Sequence, residues 1–314
     1  MEAFDIVCMI GVPALVGVCI GILSGLLGIG GGTIMVPVFR LAFGLSPLVS
    51  TATSLFTIIP TSISGAISHI KGKTCVPALG LAMGIGGAFT SPVGVWLASI
   101  SPAWAVMLAA ALIIGYSAVN MLLKAFKASP KSASSGKDSS GKASVESTSS
   151  GNGRSGNAAG GEAAGAAEVP EARTAADQGS PQVPLAPKLS RKQLLIGAAI
   201  GLGAGLMSGY VGVGGGFIMV PLMLTLIHIP MKLASGTSLI AILILAIPGT
   251  IENALAGNID YVVGLAVAVG SIPGAIVGAR LVKIVPERML RFIFGGFLII
   301  AAIVLFLNEF GILG

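Results

Sequence analysis

The chain has 314 residues, of which 54% are hydrophobic and only 10% are charged, and its mean hydropathy is +0.96. A water-facing surface needs roughly a quarter to a third of its residues charged, so this composition excludes an ordinary soluble domain and indicates a membrane protein. The net charge of +6 does not indicate nucleic-acid binding, because basic residues beside membrane spans follow from the positive-inside rule. The three cysteines are isolated, and the sequence predicts no metal site and no cofactor.

Eight apolar segments are long enough to cross a membrane, because about 20 helical residues span roughly 30 Å of hydrocarbon. Four precede a long polar stretch and four follow it. They cover residues 7–27, 48–69, 76–98, 103–126, 194–211, 233–254, 261–282 and 290–307. The sequence therefore predicts an all-α, multi-pass membrane protein in contact with membrane lipid.

The polar stretch differs sharply in composition from the rest of the chain. Ser, Gly, Ala, Pro and Lys dominate it, and few large apolar side chains occur there. Such a segment buries too little apolar surface to offset the entropy that ordering would cost. We predict a first transmembrane repeat over residues 1–126, a disordered cytoplasmic linker over 127–190 and a second transmembrane repeat over 191–314.

The two halves are copies of each other at a shift of 184 positions. Residues 24–37 read SGLLGIGGGTIMVP, and residues 208–221 read SGYVGVGGGFIMVP. The same shift, without a gap, places the Thr-Ser-Leu sequence that begins at Thr53 on the one that begins at Thr237. Internal duplication with a glycine-interrupted apolar segment in both halves is typical of secondary transporters.

Lys and Arg cluster at particular ends of the predicted spans, and the positive-inside rule places those ends in the cytoplasm. Lys71 and Lys73 follow the second span, and a basic region from Arg280 to Arg291 surrounds the last connection. Eight plain crossings cannot put both regions in the cytoplasm. Each half therefore needs one additional return through the membrane.

The apolar segments after the glycine clusters, residues 33–43 and 217–227, can form that return, since each spans roughly 16 Å as a helix. The sequence thus predicts two inverted repeats, each with about four transmembrane helices and a short re-entrant half-helix after a glycine-rich break. The alternative is eight plain spans with both termini in the cytoplasm and only one basic loop on that side.

The glycine clusters are the strongest candidates for a binding site. Consecutive glycines are poor helix residues, each costing about 1 kcal/mol relative to alanine, so we expect the helix to unwind there. The free N–H groups, together with the N-terminus of the following half-helix, suit a small anion. The predicted substrate contacts are Gly30, Gly31, Gly32, Thr33, Gly214, Gly215 and Gly216. In the alternative interpretation the glycines only permit close helix crossing.

Polar side chains near the next span in each half are further candidates. The hydroxyl pairs are Thr53 with Ser54 and Thr237 with Ser238. Each hydroxyl either binds a substrate oxyanion or bonds the carbonyl one turn back in its own helix. His69, at the end of the second span, is the candidate for proton coupling, with a structural role as the alternative. With two histidines and no G-x-S-x-G sequence, the chain is not expected to be an enzyme.

The duplicated sequence G-x-G-G-G-x-I-x-V-P, followed in each half by Thr-Ser-Leu, resembles the TauE/SafE family of sulfite and organosulfonate exporters, also called the TSUP family. The resemblance covers both apolar halves but not the linker. It implies an inner-membrane transporter of small anions such as sulfite, sulfoacetate or sulfolactate, coupled to a gradient of H⁺ or Na⁺. The alternative is a non-transporting scaffold or sensor that acts through the linker.

We predict that both termini lie outside the inner membrane and that residues 127–190 lie in the cytoplasm, because the basic residues divide that way. Alkaline phosphatase fused after Gly314 is expected to be active, whereas green fluorescent protein fused there is expected to be dark. Reporters inserted in the linker should give the reverse result. A fluorescent fusion and an inactive phosphatase at Gly314 would contradict the inverted topology.

Overall fold

A computed structural model describes residues 2–127 and 190–309, and both ranges are almost wholly helical. The helices of the first half are α1 (Glu2–Leu27), α2 (Gly32–Leu41), α3 (Pro47–Lys71), α4 (Pro77–Ile100) and α5 (Ala103–Lys127). Those of the second half are α6 (Arg191–Val211), α7 (Gly216–Leu222), α8 (Met231–Leu255), α9 (Tyr261–Leu281) and α10 (Glu287–Glu309). A π-helical turn, Met223–Ile227, continues α7.

The predicted all-α membrane class is confirmed, since six of these helices are long and apolar enough to cross a membrane. Each predicted span coincides with one helix, and the two predicted half-helices are α2 and α7 with its π-helical turn. The predicted linker, residues 127–190, lies outside the described residues apart from its two ends.

Polar caps and prolines set several helix starts. Ser46 precedes α3 and accepts a hydrogen bond from the Val49 backbone at 3.4 Å, while Pro47 occupies the first turn, where no N–H partner is required. Asp260 caps α9 by accepting from the N–H groups of Val262 and Val263, each at 3.1 Å. These local signals fix the starts of the helices that surround the site.

Helix α1 packs along α9 through glycines spaced four residues apart. Gly17 lies against the backbone of Val267, and Gly25 lies against the backbone of Ala275, about two turns further on in both helices. The contacts advance in the same direction along both sequences, so the two helices are parallel. Small residues at this spacing allow backbones to approach closely within a membrane.

The counterparts of this pair, α6 and α4, pack in the same way. Gly201 lies against Met83, and Gly209 lies against Ser91. These helices are therefore also parallel, and each half supplies the first helix of one pair and the fourth helix of the other. Neither half buries its glycine-lined faces within itself.

The central helices fix the relative direction of the two halves. Thr57 Oγ1 of α3 lies 3.2 Å from the carbonyl oxygen of Gly264, and Thr61 Oγ1 lies 2.5 Å from Ser271 Oγ, so α3 and α9 are parallel. Helix α4 runs parallel to α8, because Gly80 lies against Ile240 and Gly84 lies one turn on against Ile244.

Helices α3 and α8 are antiparallel, because Leu55 lies beside Gly249 whereas Gly65 lies beside Leu239. Helices α1, α3 and α9 thus run in one direction, and α4, α6 and α8 run in the other. Each of these helices is opposite to its counterpart in the other half, and α2 turns the chain back between the parallel helices α1 and α3. This geometry is consistent with inverted repeats, while the side that faces the cytoplasm stays a prediction.

The glycine contacts predict a large difference between two alanine substitutions on α6. A β-carbon at Gly205 would lie less than 3 Å from the backbone of Gly87, whereas one at Gly203 would have no described atom within 4 Å beyond its own turn of α6. Gly205→Ala is expected to lower the free energy of unfolding by about 1–3 kcal/mol through overpacking. Gly203→Ala should leave it unchanged or raise it slightly.

Thermal unfolding of the two purified variants in the same detergent measures this difference. Because both substitutions add one methyl group to the same helix, helix propensity cancels between them. Equal unfolding temperatures would contradict the close α4–α6 contact.

Candidate functional site

Both halves interrupt their helices at the predicted glycine clusters. The first break separates the end of α1 at Leu27 from the start of α2 at Gly32. Six glycines of the two breaks have φ between 70° and 83°, namely Gly28, Gly30, Gly31, Gly212, Gly214 and Gly215. Residues with side chains rarely adopt this left-handed region. The backbone path of the breaks therefore requires glycine at these positions.

The two breaks lie directly against each other. A β-carbon at Gly32 would lie 2.5 Å from the carbonyl oxygen of Val213, and one at Gly216 would lie 2.6 Å from that of Gly28. Backbone touches backbone at these points, as the alternative interpretation of close crossing expects. Gly32 and Gly216 therefore allow the two breaks to pack in direct contact. This packing role is independent of which groups bind a substrate.

Two isoleucines from the central helices cover the next glycines. A β-carbon at Gly30 would lie 2.9 Å from the Ile242 side chain, and one at Gly214 would lie 2.9 Å from the Ile58 side chain. Both isoleucines are buried, and each comes from the middle of α3 or α8. The breaks are therefore enclosed by protein, as non-helical backbone at membrane depth must be.

Ser54 and Ser238 hold the breaks in place from the opposite half. Ser238 Oγ lies 2.6 Å from the carbonyl oxygen of Gly28 and can donate to it, and Ser54 Oγ donates in the equivalent way to the carbonyl oxygen of Gly212. These carbonyl groups end α1 and α6, where no helical N–H can reach them. The two serines therefore satisfy buried backbone at the point where each helix unwinds.

Thr53 and Thr237 each bond a loop of the opposite half, the α8–α9 loop and the α3–α4 loop respectively. Thr53 Oγ1 accepts from the Asp260 N–H at 3.0 Å, and Thr237 Oγ1 accepts from the Val76 N–H at 2.9 Å. Thr237 also donates to the carbonyl oxygen of Leu233, one turn back, at 2.7 Å. Both threonines therefore bond backbone groups, and their contact with a substrate stays a prediction.

Three buried hydroxyls at the breaks have no hydrogen-bond partner among the described residues: Ser24, Thr33 and Ser208. Ser24 lies beside Gly31, and Ser208 lies at the equivalent place beside Gly215. The candidate residues predicted from sequence did not include these two serines. The sequence contains a feature that could have identified them, because both begin the duplicated segment and are identical in the two copies.

The start of α2 combines such a hydroxyl with free backbone donors. The N–H groups of Gly32 and Thr33 are the first two of the helix and donate to no other group in the described part of the chain. Thr33 also borders an apolar hollow of about 270 Å³ between α2 and α10. In the second half, the buried ring of Phe217 replaces the Thr33 hydroxyl. The two breaks are therefore chemically unequal.

His69 joins the ends of α1 and α3. Its Nε2 lies 2.9 Å from the carbonyl oxygen of Gly25, which only accepts, so Nε2 carries a proton; Nδ1 lies 2.7 Å from Thr74 Oγ1. The ring is fully buried. These contacts give His69 a structural role, and its part in proton coupling stays a prediction.

Within the described ranges, no group of three or more His, Cys, Asp or Glu residues could hold a metal ion. Cys75 lies in the loop between α3 and α4, where burial raises the pKa of its thiol to about 11. The thiol is therefore protonated at neutral pH, and a protonated thiol is a poor nucleophile and a poor metal ligand.

Comparison with known proteins identifies the family. The family model described as "Sulfite exporter TauE/SafE" matches residues 13–305, which include both breaks and the hydroxyl side chains around them. The chain belongs to the TauE/SafE family.

This TauE/SafE protein is similar to three proteins of Bacillus subtilis (strain 168). It is 27% identical over 283 residues to the "Probable membrane transporter protein YunE", with 87% of each chain covered. It is 26% identical to the "Probable membrane transporter protein YdhB", over 87% of this chain and 90% of the relative. The corresponding values for the "Probable membrane transporter protein YjnA" are 21%, 92% and 96%. No solved structure matches this chain.

The hydrogen bond that crosses between the halves predicts the effect of Ser238→Ala in this TauE/SafE protein. Removing the hydroxyl leaves the buried carbonyl oxygen of Gly28 without a donor, so the free energy of unfolding should fall by about 1–3 kcal/mol. Ser235→Ala is the matched control, because the Ser235 hydroxyl donates to the carbonyl oxygen of Met231 within the same helix, at 3.0 Å, and bonds no residue of the other half among those described. Thermal unfolding of both variants measures the difference, and an equal loss would contradict the proposed role of Ser238.

Proposed function

We propose that this protein is a secondary transporter of small anions in the inner membrane, and that its substrate is sulfite or a sulfonate such as sulfoacetate or sulfolactate. Membership of the TauE/SafE family and the names of its relatives support membrane transport. The description of the family supports a sulfur oxyanion, and the chemistry of the breaks supports an anion in general.

The observation that carries the proposal is the set of free donors around the first break. Ser24 and Thr33 present buried hydroxyls, and the first N–H groups of α2 have no partner among the described residues. A helix N-terminus also carries positive potential. The oxygen atoms of an anion would accept hydrogen bonds from all of these donors together, whereas an apolar ligand would leave them unsatisfied.

The breaks hold their ligand without a charged side chain, since residues 28–33 and 212–217 contain no Asp, Glu, Lys or Arg. Such a site binds through backbone dipoles and hydroxyl groups over a short range. It therefore favours a compact oxyanion with one or two negative charges over a bulky one. Ser208 and the first N–H groups of α7, those of Gly216 and Phe217, provide a second, weaker set of donors, because Phe217 supplies no hydroxyl there.

Transport requires the enclosed breaks to open to one side at a time. Ser54 and Ser238 each form a hydrogen bond between the two halves. Ile58 and Ile242, which cover the breaks, also come one from each half. Relative movement of the halves would exchange these contacts while the site itself stays in place, as in other transporters built from inverted repeats. A scaffold or sensor would have no use for unwound backbone at this depth.

Coupling to H⁺ or Na⁺ belongs to the same proposal, with His69 as the candidate proton carrier. On protonation, Nδ1 would donate to Thr74 Oγ1, and the Thr74 hydroxyl could then donate to the carbonyl oxygen of His69, 3.3 Å away. His69 therefore keeps hydrogen bonds in both protonation states. This property lets the ring change charge without leaving a buried atom unpaired.

Thr33→Val tests the site, because it removes the hydroxyl and keeps the shape of the side chain. In proteoliposomes loaded with sulfite or sulfoacetate, the variant is expected to raise the KM for flux by about tenfold or more, the value of a lost hydrogen bond to a charged group. Thermal stability should stay near that of the wild type, since Thr33 Oγ1 bonds no described residue.

Thr250→Val is the matched control, because Thr250 is also buried and its hydroxyl has no partner among the described residues, but it lies on α8 two turns beyond Ile242. Its flux should equal that of the wild type. Equal KM values for the Thr33 and Thr250 variants would remove Thr33 from the site, and no anion flux by the wild type would overturn the proposed function.

A further inference from the structure

A groove runs along the outer surface where α3 and α9 lie side by side. Its volume is about 550 Å³. Because the two helices are parallel, their C-terminal ends bound the same end of the groove. The apolar walls are formed mainly by Ile63 and Ile67 of α3 and by Ile272 and Ile276 of α9. Ile63 and Ile67 are 41% and 47% exposed, so the walls face outward.

Three cations gather at the C-terminal end of the groove. Lys71 ends α3, Arg280 lies in the last turn of α9, and Lys283 follows α9. All three are exposed, and none forms an ion pair with Asp or Glu within residues 2–127 and 190–309. The side chain of Lys283 lies over Gly72, where a β-carbon would meet its Cε at 3.0 Å, which directs the ammonium group toward the end of α3.

We propose that this groove is a binding site for an anionic phospholipid. The headgroup phosphate contacts Lys71, Arg280 and Lys283, and one acyl chain lies along the isoleucine walls. The charge pattern supports this occupant. A phospholipid has an anionic headgroup at one end and apolar chains beyond it, and the groove has cations at one end and isoleucines along the rest of its length. Cations at the membrane surface attract anionic lipids in the same way.

The equivalent surface of the other half, where α8 and α4 lie side by side, shows that the fold does not dictate these charges. At the shift of 184 positions, Leu255 replaces Lys71, Trp96 replaces Arg280 and Ser99 replaces Lys283. Leu255 and Trp96 are 86% and 58% exposed, so this surface is accessible too. The helices repeat, but only one of the two surfaces presents cations to a phosphate. The inference is independent of the transported substrate.

Native mass spectrometry of the purified full chain tests the site, with phosphatidylglycerol or phosphatidylethanolamine added to the detergent. The wild type is expected to retain phosphatidylglycerol preferentially. Each cation contributes about fivefold to the attraction of an anionic lipid surface. The triple variant Lys71→Gln, Arg280→Gln, Lys283→Gln should therefore lose about two orders of magnitude of that preference.

The matched control removes three exposed cations that do not line the groove: Lys73→Asn, Arg191→Gln, Lys192→Gln. It should retain phosphatidylglycerol as the wild type does, and Ile272→Trp, which fills the groove without changing charge, should reduce retention. Equal losses in the two triple variants would overturn the proposal, because charge alone would then explain binding. Displacement of the lipid by millimolar inorganic phosphate would also overturn it, by showing a site for a soluble anion.

Discussion

The two helix breaks pack directly against each other, and this contact limits how the helices around them can be arranged. Gly32 lies against the backbone of Val213, and Gly216 lies against that of Gly28. Backbone that is not helical can exist at this depth only where protein encloses it. Each break is enclosed largely by the other, together with hydroxyls and isoleucines from α3 and α8. The two halves must therefore come together before either break is satisfied.

The long helices also depend on contacts between the two halves, because they pack closely against helices of the opposite half. Lipid chains are as apolar as leucine, so helices in a membrane associate through close van der Waals contact rather than through burial from water. The glycine faces of α1 and α6 each find their partner in the other half, on α9 and α4. This exchange holds the breaks in register, and it explains why the residues of both halves form one compact unit.

The two halves share one backbone design but differ in chemistry. Thr33 stands opposite Phe217 in the repeat, His69 opposite Asn253, and the cations at the end of α3 and α9 have uncharged counterparts. His69 bridges α3 to the end of α1, whereas Asn253 donates to Gly249 within its own helix at 2.8 Å. The two repeats therefore share a backbone arrangement, but only the first break has a threonine hydroxyl, and only the α3–α9 pair has cations at its C-terminal end.

The helices, the two breaks and the repeat can all be predicted from the amino-acid sequence. These features depend on local properties, namely the length of apolar segments, the conformational freedom of consecutive glycines and the identity of residues 184 positions apart. The role of each hydroxyl depends on how the helices pack. Thr53 and Thr237 bond loops of the other half, whereas Ser24 and Ser208, beside the breaks, have no hydrogen-bond partner in the described part of the chain. A hydroxyl's role depends on which backbone groups the packed helices bring within about 3 Å of it, and those groups lie far away in the sequence.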